Sequence, residues 1–326
     1  MNETVLVTGG AGYIGSHTAL ALLAAGYRVV IFDNLSTGKR QLVPADATLV
    51  MADLADDQAV RETLKTHGVG AVLHFAGSII VPESVSDPLK YYANNTGNSR
   101  ALIAACVEAG VGRFIFSSTA AVYGMPDEMP VREDTPTVPI NPYGWSKLMT
   151  EQMLKDVARA HPLRYGVLRY FNVAGADPEG RSGQVIDQAT HLIKVACETA
   201  CGKRDGMALF GTDYPTPDGT CVRDFIHVSD LAQAHVDLLG WLAKSGESVT
   251  LNCGYGRGYS VQQVIDTVRL VSGREIAVTP APRRAGDPPE IVADSSRLQE
   301  LLGWRPRHDD LQTICASALA WEQSLG

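Results

Sequence analysis

The first half of the chain alternates short apolar runs with longer stretches in which apolar residues recur at helical spacing. Short runs rich in Val, Ile and Phe are typical of buried strands. Their alternation with helices predicts βαβ units around a parallel sheet, and therefore the α/β fold class. We expect strands over residues 5–7, 29–32, 48–50, 71–75, 114–117 and 166–170.

Two long helices are predicted between the later strands, over residues 88–109 and 143–160. Each stretch carries Leu, Met, Val or Tyr at roughly the period of one helix face. Pro88 suits a first helical turn, and Gly110 suits a helix end. The apolar face of each long helix is available to pack on the sheet or on another surface.

The alternation of strands and helices loosens beyond residue 172, where Gly and Pro collect over 177–180 and 214–219. A length of 326 residues also favours two domains, at roughly 150 residues each. We expect a first domain over 1–172, with some later segments packing back on it. A smaller α/β domain over 173–326 would then leave a cleft between the two.

The composition is that of an ordinary folded protein, with 45% apolar and 20% charged residues. Lys and Arg total 28 against 36 Asp and Glu, which gives a net charge of −8. Without a basic excess, nucleic acids and membranes are not expected partners. No export signal is recognised, and no apolar run approaches the roughly 18 residues of a membrane span, so we expect a cytoplasmic protein.

Six cysteines lie far apart in the sequence and form neither a C-x-x-C pair nor a dense disulfide framework. They are interpreted as reduced thiols. Cys197 and Cys201 would share a helix face, but no second pair of ligands lies near them in sequence. We therefore expect no metal site.

A glycine turn directly follows the first predicted strand and precedes a helical pattern. Gly9, Gly12 and Gly15 in this context match the dinucleotide fingerprint of a Rossmann-type doubly wound sheet. The glycines permit a close backbone approach, and the helix N-terminus would receive a pyrophosphate. Asp33 ends the second strand, where an acid accepts hydrogen bonds from the adenosine ribose and favours NAD over NADP. Because Lys39 and Arg40 follow, NADP stays open as an alternative.

Tyr143 and Lys147 are four residues apart at the start of a predicted helix, which places both on one face. A nearby ammonium favours the charged form of a phenol, so such a pair can supply a base near neutral pH. Taken alone, a pair at this spacing is more often a surface feature. The string 117–119 ends a predicted parallel strand, however, and open α/β sheets bind ligands at that edge. This context favours a catalytic pair.

The sequence resembles the extended short-chain dehydrogenase/reductase superfamily and, within it, the UDP-glucose 4-epimerase family. Strings shared with the superfamily occur along most of the chain. Two strings near the C-terminus, over 218–224 and 283–287, point to the epimerase branch. The strings occupy residues 7–17, 33–35, 74–77, 91–95, 116–119, 141–144, 169–172, 218–224 and 283–287.

This resemblance implies a catalytic set of Thr119, Tyr143 and Lys147 and a tightly bound NAD. Tyr143 would take the proton of the sugar C4 hydroxyl while a hydride passes to NAD. The resulting 4-keto sugar would rotate and take the hydride back on its other face, which interconverts UDP-galactose and UDP-glucose. The residues implied in NAD binding are Gly9, Gly12, Tyr13, Ile14, Gly15, Asp33, Asn34, Asp53, Leu54, Phe75, Ala76, Gly77, Asn94, Ser117, Tyr143, Lys147 and Tyr170.

The resemblance places the UDP-sugar mainly on the second domain. It also implies a homodimer formed by the two long helices, and the alternative is that their apolar faces pack on the sheet. Arg223 and Arg284 would bind the diphosphate, because a guanidinium fork matches phosphate oxygens. An ordinary ion pair with Asp224 or Asp287 is the alternative for either arginine. The residues implied in substrate binding are Thr119, Tyr143, Asn172, His191, Leu192, Met207, Phe210, Arg223, Arg284, Asp287 and Ile291.

Three positions depart from the pattern of well-known bacterial members. Ile79 stands where a Lys is frequent, and the string 190–194 replaces Asn-Asn-Leu-hydrophobe-Pro. His191 is interpreted either as a replacement for the amide or as an ordinary helix residue. Ile291 stands where some members carry a bulky Tyr beside the sugar. The smaller side chain leaves room for an N-acetyl group, so activity on UDP-N-acetylglucosamine is a hypothesis.

Three other functions share parts of this pattern. A sugar-nucleotide 4,6-dehydratase needs an added acid and base, usually Asp-Glu after the Thr, whereas Ala120 and Ala121 stand here. Epimerases acting on UDP-pentoses or UDP-glucuronate stay open. A non-catalytic NAD-binding sensor would be expected to lose Tyr143 or Lys147, and both are present.

Overall fold

The strands of the first half are those that the apolar runs predict, and each lies within two residues of its predicted bounds. The protein is described by a computed structural model that covers residues 3–186, 189–284 and 286–326. Apart from the edge strand over 48–51, these strands are rich in Val, Ile and Phe because they are buried on both faces of the sheet. The strands are β1 (Thr4–Thr8), β2 (Arg28–Asp33), β3 (Thr48–Met51), β4 (Val69–His74), β5 (Arg113–Thr119) and β6 (Arg164–Tyr170).

One predicted helix is interrupted. The expected helix over 88–109 is divided by a π-helical turn (Tyr92–Gly97). Apolar periodicity does not distinguish this wider turn from α-helix, and π turns are frequent at functional sites. The helices of the first half are α1 (Tyr13–Ala24), α2 (Asp57–Thr66), α3 (Val81–Ser86), α4 (Pro88–Tyr91), α5 (Asn98–Glu108) and α6 (Pro142–Ala160).

The second half is built from shorter strands and five helices within the part of the chain that the structure describes. Four of its strands form a second sheet, in which β9 pairs with β7, β11 and β13, while β8 pairs with β12. These elements are β7 (Asn172–Ala174), α7 (Leu192–Ala200), β8 (Met207–Phe210), β9 (Val222–His227), α8 (Val228–Ser245), β10 (Val249–Cys253), β11 (Gly258–Ser260), α9 (Val261–Ser272), β12 (Val278–Ala281), β13 (Glu290–Ile291), α10 (Ser296–Leu302) and α11 (Leu311–Ser324).

The central sheet has seven parallel strands in the order β10-β6-β5-β4-β1-β2-β3. The strand order reverses between β1 and β4, which is the arrangement of a doubly wound Rossmann fold. One hydrophobic core lies between the sheet and α1 and α8, and the other lies between the sheet and α2, α5 and α6. The predicted fold class is confirmed, and ligands are expected in the crevice outside the carboxyl ends of the strands.

The second half contributes to both parts of the molecule. Strand β10 extends the central sheet beside β6, and α8 packs on α1, whereas α7, α9 and α11 enclose a separate core. The functional division of the chain at residue 172 stays a prediction. Within the three described ranges, no helix has both the length and the apolarity needed to cross a membrane.

Candidate active site

The helix that carries Tyr143 and Lys147 begins beside the carboxyl end of β5. The Asn141 side chain accepts a hydrogen bond from the Gly144 amide at 2.9 Å, and Pro142 occupies the first turn of α6. A Cβ on Gly144 would lie 2.7 Å from the carbonyl oxygen of Ala121. Because a side chain at Gly144 would clash with this backbone, glycine permits the close approach of α6 to the end of β5.

Lys147 is a buried cation held at the end of β5. Its ammonium donates to the carbonyl oxygen of Ser117 at 3.0 Å and lies 4.9 Å from the centre of the Phe116 ring. The residue is only 4% exposed. Burial lowers the pKa of Lys147 to about 8, because a charged ammonium loses hydration there. Gly77 faces the same ammonium, and a Cβ at that position would lie 3.7 Å from its nitrogen.

Tyr143 and Thr119 meet through their side-chain hydroxyls. Burial raises the pKa of Tyr143 above its usual value of 10.0, and the hydrogen bond with Thr119 opposes this shift. Tyr170 lies close by, with its hydroxyl hydrogen-bonded to that of Ser117. Burial raises the pKa of Tyr170 as well, and a charge on Tyr143 raises it further. The arrangement places a phenol, a hydroxyl and an ammonium at one edge of the sheet.

The glycine turn forms a cradle with free backbone donors. Helix α1 has Gly12 as its N-cap residue, so it has no side-chain cap, and its first turn carries no acidic residue. Its first amides are therefore available to an anion. A Cβ on Gly15 would lie 2.3 Å from the carbonyl oxygen of Gly9. Asp33 supports the turn, because its carboxylate accepts from the Ala11 amide at 2.9 Å and from the Leu35 amide at 2.8 Å.

Other residues predicted to bind NAD lie along the same edge of the sheet. Asn34 follows β2 and donates to the Asp53 carboxylate at 2.6 Å, and the buried Leu54 lies beside Asp53. Phe75 follows β4, with its ring centre 4.8 Å from that of His235. The structure brings these residues to the strand ends that also hold the glycine turn and Lys147. The assignment of each side chain to NAD stays a prediction.

Asn95 holds this edge together, and the sequence reasoning missed it in favour of its neighbour. Asn94 donates to the Ser78 hydroxyl at 2.9 Å. The buried Asn95 makes more bonds: it accepts from the Ser78 amide at 2.7 Å and donates to the Ser146 hydroxyl at 3.0 Å. Asn95 thereby ties the π-helical turn to α6 and to the loop after β4. Two adjacent asparagines in a helical pattern could have indicated an irregular, functional turn at this point, because Asn is unfavourable inside a helix.

The predicted substrate residues lie mainly on the short strands of the second half. Arg223 lies on β9, 3.6 Å from the Asp287 carboxylate, and Ile291 is its partner on β13. The guanidinium of Arg284 lies 3.9 Å from the centre of the Phe210 ring. The structure therefore contains an Arg223–Asp287 ion pair, which was the alternative to phosphate binding. Ala285, within the string 283–287, lies outside the described residues.

Four further predicted residues occupy different surroundings. Asn172 lies on β7, and Leu192 begins α7. Met207 is buried in the core of the second half, where it packs with residues of α7 and α9. His191 precedes α7, and its ring Nδ1 lies 2.7 Å from the side-chain nitrogen of Gln184. The role of each in substrate binding stays a prediction.

The two sets of predicted residues meet in one small hydrophobic cluster. Ala120, which follows Thr119, belongs to this cluster together with Phe171 and Ile291. Because Ile291 pairs with Arg223, this cluster brings β9 and β13 to the end of β5. The end of β5, which carries Thr119, therefore lies close to the strands that carry Arg223 and Ile291.

Comparison with known proteins gives consistent results. Residues 5–254 match the NAD dependent epimerase/dehydratase family. A UDP-glucose 4-epimerase from Azospirillum brasilense is 59% identical, over 98% of this chain and 92% of that protein. The crystal structure of UDP-glucose 4-epimerase from Brucella ovis in complex with NAD is 45% identical, with a TM-score of 0.95 over 98% of both chains.

A third relative has a name that includes an N-acetylated sugar. The UDP-Glc/GlcNAc 4-epimerase from Campylobacter jejuni is 47% identical, with a TM-score of 0.87 over 99% of this chain and 100% of that one. The identities extend over nearly the whole chain, and the fold agrees throughout. The resemblance found in the sequence is thereby confirmed: the chain belongs to the NAD dependent epimerase/dehydratase family and, within it, to the UDP-glucose 4-epimerases.

Proposed function

We propose that the protein interconverts UDP-galactose and UDP-glucose by inverting the configuration at C4 of the sugar. The observation that carries this proposal is the buried Lys147 ammonium, which donates to the Ser117 carbonyl oxygen at the end of β5, with Tyr143 one turn before it on α6. The effect of Thr119 on the pKa of Tyr143 supports the same arrangement. These groups can exchange a proton with a sugar hydroxyl at the edge where a Rossmann fold binds its cofactor. The 59% identity to a UDP-glucose 4-epimerase supports the same reaction.

The cofactor is NAD. The uncapped amides of α1 fit a pyrophosphate, and Asp33 stands where an adenosine ribose is bound in this fold. Lys147 fits the nicotinamide ribose, because its buried ammonium faces the backbone of Gly77 at the strand ends. When bound, NAD accepts a hydride from the sugar and returns it, so the reaction needs no net oxidant.

Tyr143 transfers the proton, and Lys147 and Thr119 assist this transfer. Because its pKa is about 8, Lys147 is mostly protonated at neutral pH and favours the phenolate form of Tyr143 one helical turn away. Tyr143 then accepts the proton of the C4 hydroxyl as the sugar is oxidised, and gives it back as the sugar is reduced. Thr119, which hydrogen-bonds to Tyr143, holds the reacting hydroxyl in line.

The second half supplies the groups that hold the UDP-sugar. Arg223 and Arg284 bring two guanidinium groups, and each can bind phosphate oxygens by two parallel hydrogen bonds. The 3.6 Å separation of Arg223 from Asp287 is long for an ion pair, so a diphosphate can compete for this guanidinium. We accordingly assign NAD binding to residues 1–172 and UDP-sugar binding mainly to residues 173–326.

Replacement of the phenol tests this function. Tyr143→Phe removes the proton-accepting oxygen, so conversion of UDP-galactose to UDP-glucose should fall by about 10²- to 10⁴-fold. Tyr27→Phe is the matched control, because Tyr27 immediately precedes β2 at the opposite edge of the sheet and should leave the rate unchanged. Equal rates for Tyr143→Phe and the wild-type protein would contradict the proposal.

We also propose that the protein is a homodimer. An apolar surface formed by Val85, Leu89, Trp145 and Met149 is open to solvent, with side chains 40–76% exposed. Helices α3 and α4 pack against α6, which joins these side chains into one face. A face of this kind suits a helix bundle formed with a second copy.

Light scattering after size-exclusion chromatography tests the dimer. A double substitution, Leu89→Lys with Trp145→Lys, should convert the dimer to a monomer because it places charges in the apolar interface. Leu270→Lys is the control, since Leu270 is equally exposed but lies on α9, away from this surface. A wild-type protein that elutes as a monomer would overturn the proposal.

A specific observation favours a second substrate. Ile291 packs with Ala120 beside Thr119, and it is smaller than the Tyr of some family members. The relative from Campylobacter jejuni has UDP-Glc/GlcNAc 4-epimerase as its name. We propose that UDP-N-acetylglucosamine is also converted.

The substitution Ile291→Tyr tests this second substrate. It should lower the ratio of turnover of UDP-N-acetylglucosamine to turnover of UDP-galactose by roughly tenfold or more. Undetectable turnover of UDP-N-acetylglucosamine by the wild-type protein would contradict the proposal.

A further inference from the structure

A loop of the second half is fastened to the helix that begins at the glycine turn. The Tyr13 hydroxyl donates to the carbonyl oxygen of Gly175 at 2.6 Å. The hydroxyls of Ser16 and Ser182 share a second hydrogen bond, also of 2.6 Å, and both serines are fully buried. Tyr13 and Ser16 belong to the first turn of α1, whose amides fit the pyrophosphate of NAD. We call residues 171–184 the strap.

The strap passes over the edge of the sheet where NAD is expected. It begins at the end of β6, and two strands, β5 and β4, separate β6 from β1 in the sheet. The ends of β6 and β1 are therefore about 14 Å apart, at roughly 4.8 Å per strand. The five residues from 171 to 175 span at most about 17 Å. Residues 171–175 must therefore be nearly fully extended to cross the carboxyl ends of β5 and β4.

The strap is held in one shape by its own contacts. The buried carboxylate of Asp177 accepts from the Arg181 amide at 3.1 Å and from the Arg181 guanidinium at 2.7 and 2.8 Å. The Asp177 amide donates to the Ser182 carbonyl oxygen at 2.9 Å. Residues 177–182 therefore form a closed loop, and a displacement at Ser182 would move the loop as a unit.

The far side of the strap is fixed to the last helix. The Ala176 amide donates to the Ser317 hydroxyl at 3.2 Å, and the Trp321 indole donates to the carbonyl oxygen of Gln184 at 3.3 Å. A Cβ on Gly183 would lie 2.3 Å from the Trp321 ring. The strap is thus clamped between α11 and α1. Residues 172–174 of the strap are strand β7, which stays paired with β9, so breaking the contacts with α1 frees residues 175–184 from the glycine turn without disturbing this pairing.

We propose that the Ser16–Ser182 hydrogen bond, together with Tyr13–Gly175, is a latch that retains bound NAD. The proposal rests on the proposed function only in that NAD is the cofactor. With the latch closed, the strap covers the crevice between the glycine turn and β6, so NAD leaves only after the latch opens. Ser182 and the Tyr13 hydroxyl are positioning groups, and neither takes part in the proton transfer.

The experiment measures how fast bound NAD exchanges. Protein carrying isotopically labelled NAD is mixed with excess unlabelled NAD, and the retained label is followed with time. Ser182→Ala is a clean variant, because Ser16 keeps its other hydrogen bond, to the Tyr13 carbonyl oxygen at 3.0 Å. Tyr13→Phe opens the second bond independently. Each variant should release NAD roughly tenfold faster, as expected for the loss of one buried hydrogen bond.

Thr63→Val is the matched control. It removes a buried hydroxyl that donates within α2, away from the strap, and should leave the exchange rate unchanged. Unchanged exchange in both Ser182→Ala and Tyr13→Phe would overturn the latch, as would an equal acceleration in Thr63→Val. Wild-type protein that retains no NAD but converts UDP-galactose once NAD is added would overturn the latch and leave the proposed function intact, whereas protein that never binds NAD would overturn both.

Discussion

Burial acts in opposite directions on the two titratable residues of the site. It lowers the pKa of Lys147 to about 8 and raises the pKa of Tyr143, because in each case the charged form loses hydration. Both shifts come from the approach of α6 to the end of β5, which Gly144 permits. The spacing of Tyr143 and Lys147 predicted a shared helix face. It could not predict their burial, which depends on strands distant in sequence.

The glycine turn supports a prediction at the level of one residue. Gly15→Ala places a Cβ 2.3 Å from the Gly9 carbonyl oxygen, which is backbone and cannot move cheaply. The turn would have to open, so the affinity for NAD, measured by titration of NAD-free protein, should fall by more than about tenfold.

Gly240→Ala is the control for this substitution. Gly240 lies inside α8, and a Cβ there meets nothing within 4 Å. The substitution should leave NAD binding unchanged and should stabilise the protein by about 0.5–1 kcal/mol, since alanine favours a helix. An NAD affinity of Gly15→Ala within twofold of the wild-type value would show that the turn does not act as the cradle.

Elements that depend on local patterns were predicted well. All six strands of the first half follow from runs of β-branched and aromatic residues, and α6 follows from its apolar period. The π-helical turn did not follow, because it depends on Asn95 bonding to Ser78 and Ser146 in other segments. The contact of Ser16 with Ser182 was beyond prediction for the same reason, since 166 positions separate the two residues.

A buried ion pair fastens the catalytic helix to the sheet and gives a prediction for this element. Glu151 on α6 binds the Arg169 guanidinium on β6 at 2.6 Å and accepts from the Ser118 hydroxyl at 2.6 Å. Glu151→Gln leaves the Arg169 charge buried without its partner, so the free energy of unfolding should fall by about 3–5 kcal/mol in urea titrations.

Asp156→Asn is the matched control on the same helix. Its carboxylate pairs with Arg159 at the surface, where ion pairs contribute little, so the change should stay within about 0.5 kcal/mol. Equal effects of Glu151→Gln and Asp156→Asn would mean that the buried pair does not hold α6 in place.

Among the described residues, four buried histidines have imidazoles that resist protonation. Burial lowers the pKa to about 4 for His17 and His235, and to about 3 for His74 and His227. Two of them, His17 and His235, lie on α1 and α8, which pack together on one face of the sheet. The unfolded chain titrates near 6.5, so below that pH it binds protons that the folded protein does not.

Stability should therefore depend on pH with a definite sign. The contribution of these groups is fully present above pH 6.5 and is lost as the pH falls towards 4. Each buried imidazole adds up to about 1.4 kcal/mol per pH unit to this slope. His235→Leu should reduce the slope of the unfolding free energy against pH by one such increment, measured by urea unfolding between pH 4.5 and 6.5. His161→Gln, at an exposed position, should leave this slope unchanged. A stability that does not change over this range would contradict the prediction.

We expect this chain to invert the configuration at C4 of a UDP-sugar with NAD that it already holds. The most direct measurement is an analysis of sugar nucleotides after the purified protein is incubated with UDP-galactose and no added NAD. We expect UDP-glucose to form, without net accumulation of reduced cofactor, because the hydride returns to the sugar in each turnover. Folded protein that forms UDP-glucose only after NAD is added would contradict the resident cofactor, and folded protein that forms none in either case would contradict the reaction itself.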